Sequence, residues 1–65
     1  MENLRKIRKE NHLTQAEMAE KLNITQSAYS QYETNRTEPD IKTLIKIANI
    51  LKVPIDAIVG RHWEI

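Results

Sequence analysis

Cysteine and phenylalanine are absent from this sequence, and glycine occurs once. Without cysteine, neither a disulfide nor a Cys-based zinc site can staple the fold. There are two prolines, no low-complexity stretch and no internal repeat. No long apolar run is present and the first residues are charged, so neither a signal peptide nor a membrane span is expected. A soluble, cytoplasmic protein is the expectation. Charge of one sign is also lacking: ten Lys and Arg against nine Asp and Glu leave a net +1. The strongly basic balance that usually marks a nucleic-acid binder is therefore missing from the total. What is there is mainly Ile, Leu, Ala, Lys, Glu and Gln, which suits an all-helical bundle. A chain of 65 residues makes one domain with a modest core.

The stretch LTQAEMAEKLNITQSAYSQYE, residues 13–33, organises the chain. Thr14 suits a helix N-cap, and Glu17 three residues later can complete a capping box. Met18, Ala19 and Leu22 then recur at helical spacing. Asn23 tolerates a left-handed conformation and suits the stop of that helix. Thr25 offers a second N-cap. Tyr29 and Tyr32 point one way from the helix that follows, while Gln26, Ser27, Ser30 and Gln31 point largely the other. A solubilising face normally uses Lys and Glu. A face of amides and hydroxyls suits a flat surface of mixed donors and acceptors, such as base edges in a DNA major groove.

This stretch resembles the helix-turn-helix of the Cro and phage-repressor type, the Xre family of small bacterial regulators. The resemblance rests on Gln15 opening the first helix, Ala19 at the helix crossing, Ile24-Thr25-Gln26 leading into the second, Tyr29 and Tyr32 at its inward positions, and Glu33 closing it. The run ETNRTEPDIKTLIKIANILKVPIDAI resembles the family's third segment, so the likeness extends from about Leu4 to Val59. Asn23 departs from the pattern, which usually has glycine there, at a modest cost in strain. The resemblance implies a compact five-helix, lambda-repressor-like domain over residues 1–60, with the helix-turn-helix at helices 2 and 3. Residues 61–65 form a tail.

In chain order, residues 1–11 read as the first helix, with Leu4 and Ile7 inward. Arg5, Lys6, Arg8 and Lys9 crowd this segment and, with Arg36, offer a positive rim around a neutral reading face. Arg8 shares the side of Leu4. Its residue type leaves two readings open, a side chain snorkelling to water or an ion pair with Glu33. The resemblance favours the pair. Gln15, at a helix N-terminus, can face an anion, and the resemblance strengthens its reading as a DNA phosphate contact. On the expected third helix, residues 26–34, Gln26 can pair with adenine. Ser27, Ser30 and Gln31 complete the base-contacting set. Thr25 at the helix start joins the phosphate set; Tyr29 reads by helical spacing as core, and it enters the same set through a hydroxyl emerging at the rim. Arg36 and Thr37 join it as the family's basic segment does.

Pro39 sets up Asp40 as the next N-cap. Residues 41–51 then show the strongest periodicity, with Ile41, Leu44, Ile45, Ala48 and Leu51 as the apolar stripe and Ile47 and Ile50 flanking. Pro54 begins a fifth helix that Gly60 ends. Ile58, Val59, Trp63 and Ile65 are candidates for the dimer seam that the family builds from its last helices, although Trp63 and Ile65 could equally cover this domain's own core.

The leading expectation is a sequence-specific double-stranded DNA-binding transcriptional regulator, a repressor binding a palindromic operator as a homodimer. The alternative is a protein-interaction module such as an antitoxin. An enzyme is not expected: His12 and His62 fit no metal or triad spacing and no Gly-rich phosphate loop exists. No cofactor, metal, membrane or small-molecule ligand is indicated.

Overall fold

Three side-chain caps mark helix starts. Thr14 Oγ1 accepts from the Glu17 N–H at 3.0 Å, while Glu17 Oε1 accepts from the Thr14 N–H at 2.8 Å, a complete capping box. Thr25 Oγ1 accepts from the Ala28 N–H at 3.0 Å, and Asp40 Oδ1 from the Thr43 N–H at 2.8 Å. The computed structural model describes residues 1–59. Five helices follow in order: α1 (Glu2–Glu10), α2 (Gln15–Leu22), α3 (Gln26–Glu33), α4 (Ile41–Leu51) and α5 (Ile55–Val59). The described residues are all-helical, as expected.

Helix stops use left-handed residues. Asn23 stands at φ 61°, so the N–H groups of Asn23 and Ile24 return to the Glu20 and Ala19 carbonyls, both at 3.0 Å. This tight reversal sets α3 across α2, the most closely packed pair of helices in the domain. Asn35 (φ 64°) turns the chain after α3, and Lys52 (φ 59°) caps α4. His12 adopts φ 60° between α1 and α2. The left-handed geometry of Lys52 has no cue in residue type, whereas His12 belongs, with Asn and Asp, to the side chains that enter this region more readily than most.

The core gathers Leu4 from α1, Met18, Ala19 and Leu22 from α2, Tyr29 from α3, Ile47, Ala48 and Leu51 from α4, and Ile58 from α5. Every helix donates, and burying each large apolar side chain stabilises by about 1.5–3 kcal/mol. Asn3 Nδ2 adds a tie from α1 to the Ala57 carbonyl of α5 at 3.2 Å.

Two expectations are corrected here. The apolar stripe of α4 is rotated: Leu44, Ile47, Ala48 and Leu51 face inward, while Ile41 is 71% exposed and Ile45 46% exposed. Seven apolar residues wrap too much of this helix for periodicity to select one face. Packing against α2 and α5 selects it instead. The second correction concerns Ile58, expected in a dimer seam. It is 0% exposed, because α5 packs on α1 and α4 and turns this side chain into the domain's own core. Val59 is half-buried. Trp63, Ile65 and the tail lie outside the described residues.

Candidate nucleic-acid interface

Gln26 and Ser27 open α3 and are exposed, and Ser30 and Gln31 continue the same face half-buried. No side-chain hydrogen bond to a described residue occupies any of the four. Their amide and hydroxyl groups are free to pair outside the protein, and no charge stands among them. Thr25 is exposed and its oxygen serves the N-cap, which leaves its O–H free to donate. Arg36 and Thr37 are exposed just beyond α3. Their N–H groups return to the Gln31 carbonyl at 2.9 and 3.4 Å, so the loop is anchored to the helix that carries the candidate base contacts.

Behind this face lies a buried polar centre. Arg8 Nε donates to Glu33 Oε2 at 2.6 Å, and a terminal nitrogen of the same guanidinium donates to Oε1 at 3.2 Å. The other terminal nitrogen donates to the Leu13 carbonyl at 2.8 Å, tying down the α1–α2 connection. Burial works against a charged Glu33. The hydrogen bonds from Arg8, Tyr29 and Gln15, with the charge of Arg8, outweigh it and hold the carboxyl below the usual range. The hydrogen bond to Glu33 holds the Arg8 guanidinium above its ordinary value, against the opposing effect of burial. Arg8 is therefore no part of a positive rim. Arg5, half-exposed, reaches Glu33 at 4.0 Å, and Lys6 and Lys9 are exposed.

Tyr29 is corrected. Placed in the phosphate set from sequence, it is 0% exposed, and its hydroxyl donates to Glu33 Oε2 at 2.6 Å. Residues 29 and 33 are one helical turn apart, and Glu33 is turned inward by Arg8, so the phenol finds its partner inside. Burial, then the bond to Glu33, pushes the phenol well above the ordinary tyrosine range. Gln15 is half-buried, and its amide nitrogen donates to Glu33 Oε1 at 3.0 Å. One of its two N–H bonds is thus used internally. Sequence reasoning missed this bond, since 18 residues separate its ends and no periodicity links them.

Among the described residues, no group of three or more His, Cys, Asp or Glu side chains is placed to hold a metal, and no helix is long and apolar enough to cross a membrane. Helix α2, its left-handed turn and α3 together form a helix-turn-helix with a polar outward face.

Comparison with known proteins agrees. The profile of the helix-turn-helix family matches residues 4–58. An uncharacterized HTH-type transcriptional regulator of Bacillus subtilis, YqaE, is 58% identical over 55 residues, covering 85% of this chain and 47% of that protein. The immunity repressor protein of Bacillus phage phi105 is 39% identical over 59 residues, 91% of this chain and 41% of that protein. The cryptic phage CTXphi transcriptional repressor RstR of Vibrio cholerae is 38% identical over 60 residues, 92% and 54% of the two chains. The crystal structure of a transcriptional regulator from Listeria innocua superposes with a TM-score of 0.85 at 36% identity, covering 98% of this chain and 60% of that one. This chain spans about half the length of the curated relatives it matches. It belongs to the helix-turn-helix family of Cro and phage-repressor type, a non-enzymatic class.

Proposed function

We propose that this domain binds double-stranded DNA as a transcriptional regulator, with α3 in the major groove. The observation that supports this most directly is the uncharged outward face of α3, whose Gln26, Ser27, Ser30 and Gln31 side chains have no hydrogen-bond partner among the described residues. Gln26 is assigned to adenine, where a bidentate amide contact discriminates by about 1–3 kcal/mol. Gln15, Thr25, Arg36 and Thr37 are assigned to phosphates. Repression from a palindromic operator by a homodimer is the specific form proposed, in keeping with two relatives whose names are repressors. Val59, Trp63 and Ile65 remain the proposed seam, and the cytoplasm the proposed location.

A second reading, a protein-interaction module such as an antitoxin, draws on the exposed Ile41 and Ile45 of α4. Selection from a random double-stranded DNA library separates the two. Enrichment of a palindrome with half-sites about 34–36 Å apart supports the dimeric DNA reader. No enrichment even at low salt and high protein concentration rejects it and favours a protein partner.

A further inference from the structure

Glu33 receives four hydrogen bonds, two on each carboxylate oxygen. Oε2 accepts from Arg8 Nε and the Tyr29 hydroxyl, both at 2.6 Å. Oε1 accepts from an Arg8 terminal nitrogen at 3.2 Å and from Gln15 Nε2 at 3.0 Å. A carboxylate offers about four lone-pair sites, so this one is filled and its orientation is determined from three helices at once. A carboxylate also accepts only, so the group that Gln15 turns toward it must be its nitrogen, never its carbonyl oxygen. Which end of the Gln15 amide faces inward is thereby set. One N–H points inward to Oε1, and the second, fixed in the same plane, cannot reach that oxygen.

Gln15 is itself the first residue of α2. There the Glu17 and Met18 N–H groups are bonded to Thr14, and those of Gln15 and Ala16 have no acceptor among the described residues. A glutamine at a helix start would ordinarily sample several rotamers and lose that freedom on binding. Here the freedom is removed before DNA arrives. The bond also ties the first residue of α2 to the last residue of α3. A phosphate grip through Gln15 and base reading through α3 therefore keep one fixed spacing.

We propose that Glu33, held in place by Tyr29 and Arg8, is a positioning residue for the Gln15 phosphate contact. This rests on the reading of Gln15 as a DNA contact and adds that the contact is pre-aimed from inside the domain.

The test is a double-mutant cycle on the full chain and its selected operator, with folding of each variant checked by circular dichroism. Gln15→Ala is expected to weaken binding about tenfold. Glu33→Gln is expected to weaken it several-fold when Gln15 is present and hardly at all in the Gln15→Ala background. Equal losses in both backgrounds overturn the positioning role. If Gln15→Ala changes nothing, it is the phosphate contact that falls, and the positioning proposal falls with it. Should Glu33→Gln fail to fold, Tyr29→Phe keeps the ring, removes only the donor to Oε2, and is expected to show the same dependence on Gln15 with a smaller factor. A second readout needs no DNA. In the free protein the Gln15 side-chain N–H order parameter is expected near the rigid value of about 0.85, and a value under about 0.6 rejects pre-aiming.

Discussion

Arg8 and Glu33 meet across 25 residues of chain, with a 2.6 Å bond between Nε and Oε2 and almost no solvent on either side chain. The pair joins the first helix to the end of α3, the proposed reading helix. Two charges taken out of water together gain little net stability, but separating them leaves one buried charge unmatched.

Removing one partner should therefore be severe. Arg8→Met is expected to lower unfolding stability by about 3–5 kcal/mol, a large share of what a small domain has. Urea unfolding followed by circular dichroism measures this. A midpoint unchanged from the parent would show the pair to be dispensable.

The same centre predicts an acid limb. Glu33 is held below its ordinary value in the folded state, so the unfolded chain binds its proton first as pH falls. Its stabilisation is fully present above the ordinary carboxylate range, about pH 4–5, and is lost as pH drops through the folded value. Asp40, lowered mainly through its hydrogen bonds with Thr43, acts in the same direction. Tyr29 acts oppositely. Its raised value means stability is present below about pH 10 and lost as pH rises beyond it. Unfolding midpoints of the parent and Glu33→Gln between pH 7 and pH 2 should converge toward the acid end. Parallel curves would remove Glu33 from the acid limb.

Lys52 caps α4 at φ 59°, a conformation that disfavours a side chain with Cβ. Lys52→Gly should raise stability by about 0.5–1 kcal/mol, because relief of this strain exceeds the entropy lost by glycine. Thermal melts decide, and a lowered midpoint would mean the lysine stem contributes packing that outweighs the strain.

Ile41 sits outside the core at 71% exposure. Ile41→Lys should change stability by no more than about 0.5 kcal/mol. A larger loss in urea unfolding would mean that this side chain is covered in solution, and sedimentation of the parent against the variant would show whether a second copy covers it.

On DNA, two substitutions should differ in kind. Gln26→Ala should weaken the cognate site selectively and relax one base position, whereas Arg36→Ala should weaken all sequences about uniformly and lower the salt slope by about one. Titrations at several salt concentrations on cognate and scrambled duplexes check both. An unchanged slope takes Arg36 out of the phosphate set.

What the sequence by itself determined is local. The caps at Thr14, Thr25 and Asp40, the reversal at Asn23, the helical spans and the amide-and-hydroxyl face of α3 each depend on residues within about one turn of one another. Helix geometry fixes those neighbours whatever the rest of the chain does. Tertiary structure alone decided the face of α4 that is buried, the inward partner of the Tyr29 hydroxyl, the loss of Ile58 to the core and the bond from Gln15 to Glu33. Each of these depends on which helix lies opposite, and a chain with apolar residues around most of α4 leaves that open until the helices pack. The backbone reversal at Lys52 belongs with them: the chain must turn there to bring α5 into place, and the packing gained outweighs the preference of the residue.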